Sequence, residues 1–112
     1  MSSTTVTRGN SHETFYIVPT LDNTSNSLAA NTTTAVTYNV SGLLTSDIVQ
    51  VIGYNGSQTA GVVIAEADCL TAGVLTIQFG NLTATTTLKP ASGAYTIQIV
   101  RLEGAPAPTN AA

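Results

Sequence analysis

Apolar and polar side chains alternate along most of this chain with the period of two that an extended strand imposes. Glu13 to Pro19 (ETFYIVP) sets Phe15 and Ile17 on one face and Tyr16 and Val18 on the other. Pro19 has no N–H to give a ladder, so it ends that strand. Thr34–Val40 places Val36, Tyr38 and Val40 opposite Ala35, Thr37 and Asn39. Asp47–Tyr54 (DIVQVIGY) is apolar on both faces, through Ile48 and Ile52 and through Val49 and Val51. That pattern predicts a central strand, covered by the core on one side and by a partner chain on the other. Gly61–Ala67 follows, then Val74–Phe79 with Leu75, Ile77 and Phe79 inward. Thr83–Leu88 reads as a weaker, Thr-rich edge strand, and Ala94–Leu102 is the longest alternating run.

Turn chemistry separates these runs. Ser41-Gly42, Asn55-Gly56, Thr71-Ala72-Gly73 and Lys89-Pro90-Ala91-Ser92-Gly93 all mark turns, Asn-Gly most strongly. The polar stretch from Thr20 to about Asn31 is long for a structureless loop, so it is expected to lie on a neighbour or to hold a short edge strand. No segment has helical periodicity with caps. About seven short strands at this spacing predict an all-β fold, an antiparallel β-sandwich or jelly-roll-like barrel, over residues 13–103. Residues 1–12 are expected to form a flexible arm, and the Pro/Ala-rich residues 104–112 a flexible tail.

Composition narrows the function. At 112 residues the chain is one domain, and its 43% hydrophobic share is enough for a core without staples. Only 8% of residues are charged, against about 25% in an ordinary domain. Twenty residues are Thr, a β-branched side chain that favours extended backbone and remains polar without carrying charge. A surface so poor in charge suits permanent burial in interfaces. Arg8, Lys89 and Arg101 are too scattered to form the stripe that nucleic acid requires, and the net charge of −3 disfavours anionic membranes. No apolar run is long enough to span a bilayer. The first residues lack the apolar core of a signal peptide, so the chain is expected to fold where it is made, the cytoplasm for a bacterial or viral product.

Candidate chemistry is sparse. Cys69 stands alone, so no internal disulfide forms, and it reads as a small half-buried apolar side chain. His12 is the only histidine and reads as a solvated surface group. Glu66 and Asp68 share one side of a strand at i, i+2, but two carboxylates are too few for a calcium site, and strand-end solvation is the expected role. Five Asn-x-Ser/Thr sequons, at Asn23, Asn31, Asn39, Asn55 and Asn81, are expected by chance in so Thr-rich a chain. No catalytic residue, cofactor or metal site is expected, and the chain does not read as an enzyme.

From Val40 to Arg101 the chain carries the cadence VSGLLTSDIVQVIG, then AGVLTIQFGNLTATTTLKPASG, then AYTIQIVRLE. This resembles small tailed-bacteriophage virion proteins of the capsid decoration (cement) or head-appendage type, in which a GLTxxDxVxV strand leads to LTIxFxNxTA and a closing Pro–Gly turn. Gly42 and Asp47 match the turn and strand start, Asn81 and Thr83 the central turn, Pro90 and Gly93 the last turn, and Arg101 the strand-ending base. The resemblance covers roughly half of the chain. It implies a homotrimeric β-sandwich on the exterior of a virion, made in the host cytoplasm, with the major capsid protein and itself as partners. Phe15, Tyr16, Ile17, Val49, Val51 and Tyr54 are the expected interface residues. The alternative is a receptor- or glycan-binding head of a fibre or tail spike, with Tyr16, Tyr38, Tyr54 and Tyr95 as sugar platforms.

Overall fold

A computed structural model of the chain describes residues 12–102. They form seven antiparallel strands in two sheets: β1 (His12–Ile17), β2 (Thr20–Leu21), β3 (Thr33–Asn39), β4 (Ile48–Tyr54), β5 (Val62–Thr71), β6 (Val74–Asn81) and β7 (Gly93–Leu102). In one sheet β7 is central, with β4 on one side and β1 followed by β2 on the other. In the second sheet β6 lies between β3 and β5. The fold is all-β, a small antiparallel sandwich, as the alternation predicts. The expected arm and tail lie outside the described residues, except for His12, which pairs with Leu102 as the first residue of β1.

The core lies between the sheets. Val36, Val62, Cys69, Leu75, Ile77 and Phe79 face it from the second sheet, and Leu21, Val49, Tyr95, Ile97 and Ile99 from the first. Phe79 meets Tyr95 edge-on across the gap, ring centroids 6.5 Å apart. Cys69 is buried more completely than expected, because β5 extends past Ala67 as far as Thr71. Gly73 turns the β5–β6 hairpin at φ 81, a backbone angle that side-chain-bearing residues resist.

Three differences from the sequence reading have local causes. Residues 83–88 are not a strand. The Asn81 side chain accepts hydrogen bonds from the Thr83 N–H and hydroxyl at 2.9 and 2.6 Å and donates to the Leu28 and Thr86 carbonyls at 3.0 and 2.8 Å. That capture folds the segment into a loop with one bridge, Leu28 to Leu88. Segment 47–54 is an edge strand among the described residues, since β4 pairs there only with β7, and β7 is the central one. Asn55-Gly56 turns the chain, but the strands on either side of it belong to different sheets, so it closes no hairpin.

The long stretch after Pro19 is well tied. It begins with β2, which continues along β7 because the Pro19 carbonyl still accepts from the Tyr95 N–H at 3.0 Å. Buried Asn23 then holds the loop: its amide nitrogen donates to the Ala91 carbonyl at 2.9 Å, and its oxygen accepts from the Tyr38 hydroxyl at 2.5 Å. Leu28 is fully buried beside the Leu88 bridge.

Candidate interaction surface

At one end of the sandwich, residues that the sequence presents far apart form a single clasp. Arg101, near the end of β7, donates from Nε and Nη2 to the two oxygens of Asp47 at 2.8 and 2.7 Å, and from Nη2 to the Gly42 carbonyl at 2.9 Å. The Leu44 N–H completes the Asp47 carboxylate at 2.9 Å. This two-pronged pairing locks the 42–47 turn against β7. The Arg101 hydrogen bonds hold the buried Asp47 carboxyl below its ordinary range, against the opposing effect of burial.

Arg101 also stacks over the Phe15 ring, 5.3 Å from its centroid. Beneath Phe15 a groove of about 500 Å³ runs between β1 and the Val40–Leu43 turn, with Ile17, Leu43 and Ile99 in its lining. The groove exists because β1 overhangs: five of its six residues are exposed and the sixth, Ile17, is half-buried. Among the described residues β1 pairs only with β7, so its other edge is open, with apolar surface beneath it.

The outer face of the β1–β7–β4 sheet is set by register. Thr14, Val100 and Ile48 form one row and Tyr16, Gln98 and Gln50 the next. Tyr16, Ile48, Ile52 and Leu102 are 62, 56, 52 and 57% exposed. A bulge at Ile52 breaks the β4 register between Val51 and Gly53. It turns Tyr54 inward, where its ring lies 4.7 Å from that of Tyr95 and its hydroxyl donates to the Ser92 carbonyl at 2.8 Å.

The expected interface set therefore divides. Phe15 and Tyr16 are exposed on the edge strand, and Ile17 borders the groove. Val49 is a core residue, and Val51 and Tyr54 pack against the core. The outward apolar pair on β4 is Ile48 and Ile52, because their Val49 and Val51 neighbours face Ile99 and Ile97 across the ladder. The alternation shows that β4 has two apolar faces, but not which one the second sheet covers. Among the four tyrosines, Tyr95 is fully buried and Tyr38 and Tyr54 are partly buried, which leaves Tyr16 as the exposed one.

The second sheet's outer face is different in kind. Thr37, Thr76 and Asp68 form a row across it, beside the row of Ala35, Gln78 and Glu66. Glu66 and Asp68 do share a side, but they lie mid-strand, since β5 continues to Thr71. The neighbouring Asp68 carboxyl raises the Glu66 pKa. One Asp68 oxygen is buried without a partner. No three potential metal ligands gather among the described residues. Cys69 donates its S–H to the Thr71 carbonyl at 3.1 Å.

The positions that carry the sequence resemblance thus have structural roles here: Gly42, Asp47 and Arg101 form the clasp, and Asn81 holds Thr83 in the central loop. Comparison with models of known families, with curated proteins and with solved structures finds no match.

Proposed function

We propose that this chain is a non-enzymatic structural subunit of a tailed-phage particle, a decoration (cement) protein that binds and stabilises the outer surface of the major capsid protein shell. The observation that carries the proposal is β1, an edge strand exposed at five of six residues above an apolar groove. Proteins normally blunt such an edge with charge, proline or a covering loop, because unpaired N–H and C=O groups invite another strand. Here the open edge is available to an extended capsid segment, which adds main-chain hydrogen bonds while the groove below Phe15 takes an apolar side chain. The scarcity of charge supports the same reading, since little ionic hydration opposes burial. The tyrosine positions favour it over a glycan-binding head, because of the four candidate platforms Tyr95 is fully buried and Tyr38 and Tyr54 are half-buried against the core.

The test is to mix the purified protein with intact shells and count bound copies by quantitative mass spectrometry. Saturation at the number of equivalent lattice positions is expected, with binding weakened about tenfold or more by Phe15→Ser. Binding at only a few sites per particle, or an unchanged affinity of folded Phe15→Ser, argues against the proposal.

A further inference from the structure

We infer that the outer face of the β1–β7–β4 sheet pairs with the same face of a second copy of this chain. The inference rests on reading the chain as an assembly subunit, names a partner for a surface distinct from the β1 edge, and puts a two-fold pairing in place of the threefold association that the resemblance implies.

Three observations point to self-pairing. First, exposed apolar side chains concentrate on this face, with Ile48 and Ile52 on β4, Tyr16 and Val18 at the β1 side, and Leu102 at the end of β7. Second, among the described residues the face carries no Asp, Glu, Lys or Arg: its central row is Tyr16, Gln98 and Gln50, and its one basic side chain is His12, at the end of β1 opposite Leu102. The centre of the face therefore meets its own copy without like-charge repulsion, whereas a strongly charged partner would lose hydration with no opposite charge in return. Third, the polar groups in that row are amides and a phenol, each both donor and acceptor, with Gln98 already donating to the Tyr16 hydroxyl at 3.0 Å. Such groups can pair with their own copies across a two-fold axis, which carboxylates or ammonium groups cannot.

The other outer face fails the same test. Self-stacking there would bring two Glu66–Asp68 pairs together, when Glu66 is already resisting ionisation beside Asp68.

Geometry sets the strength. The face is made of the 6 residues of β1, the 10 of β7 and the 7 of β4, each rising about 3.3 Å on strands about 4.8 Å apart, which gives a projected face of about 360 Å². That places the contact in the small class of interfaces, with micromolar rather than nanomolar affinity. The two sheets would pack about 10 Å apart, as sandwich layers do.

Sedimentation equilibrium of the full chain from about 1 to 500 µM tests this, spanning the affinity expected. Wild type is expected to dimerise within that range. Gln98→Glu and Gln98→Lys, substituted at the centre of the face, should each raise the dissociation constant by about tenfold or more through like-charge apposition. An equimolar mixture of the two variants should recover dimers. Ala35→Lys, on the other outer face, should leave association unchanged, and circular dichroism would confirm that all variants fold. A wild type monomeric at the highest concentration overturns the inference, as do two Gln98 variants that associate like wild type. Single variants that weaken without recovery on mixing overturn like-on-like pairing. Shell binding is scored separately: a chain that dimerises but ignores capsids keeps this inference and loses the capsid proposal.

Discussion

Replacing Asn81 by alanine tests the account of why residues 83–88 form a loop. The Asn81 side chain is nearly fully buried and makes four hydrogen bonds, two accepted by its oxygen and two donated by its nitrogen. The two carbonyls it serves retain other donors: the Leu88 N–H reaches the Leu28 carbonyl at 3.1 Å, and the single Thr83 hydroxyl proton, shared in the wild type between the Asn81 oxygen and the Thr86 carbonyl 2.7 Å away, becomes free to serve that carbonyl. The Thr83 N–H is the group left without its acceptor. At about 1 kcal/mol net per bond, with the carbonyls partly compensated, the loss comes to about 2–4 kcal/mol. For a domain of this size that lowers the melting temperature by about 10–25 °C. Urea denaturation followed by circular dichroism measures it.

Asn81→Asp sharpens the test. A carboxylate oxygen would then face the Leu28 and Thr86 carbonyls in place of the donating nitrogen. Burial against two carbonyls raises the folded-state pKa of the new acid above its unfolded value of about 3.9. The folded state then binds more protons between those two values, so the variant loses stability as pH rises through that window and regains it on acidification. If Asn81→Ala lies within about 0.5 kcal/mol of wild type, or Asn81→Asp is no worse at pH 7 than at pH 4, the loop is held by something else.

Two further outcomes are expected. The Asp47–Arg101 clasp contributes stability above the unfolded pKa of Asp47, and this is lost as pH falls through the depressed folded value; in Arg101→Leu the buried carboxyl loses its main partner, so that variant's deficit in urea midpoint should be larger at pH 7 than at pH 4. Gly93→Ala should cost about 2–4 kcal/mol by thermal melting, because Gly93 has φ 146 and a methyl there would meet the Tyr54 hydroxyl at 2.8 Å and its ring edge at 3.1 Å; partial recovery by Gly93→Ala with Tyr54→Phe would identify the hydroxyl contact as one cause beside the backbone strain.

Much of this fold is legible in the chain because strand alternation is a local property. Every strand longer than two residues overlaps a run that reads as a strand in the sequence, though β4 is apolar on both faces and β5 opens on three successive apolar residues, and Pro19, Gly73 and the 89–93 turn fall where the ladders break. The inward choices of Leu75, Ile77, Phe79, Ile97 and Ile99 follow from that alternation alone. The low charge likewise belongs to the sequence, and with it the expectation of a surface made to be covered.

What only the tertiary structure decided are the long-range pairings and parity shifts. A one-residue bulge at Ile52 reverses the direction of Tyr54, and no local pattern announces it. Which face of β4 meets the core depends on where the second sheet lies, and so does the choice between Ile48 and Val49 as a contact residue. Asn81 turns a Thr-rich strand candidate into a loop by reaching carbonyls that include Leu28, 53 positions away. Arg101 and Asp47 meet across 54 positions. Alternation sets which residues share a face of their own strand, but chain closure over such distances sets what each face touches, and the candidate interaction surface is made of the faces that the other described strands leave uncovered.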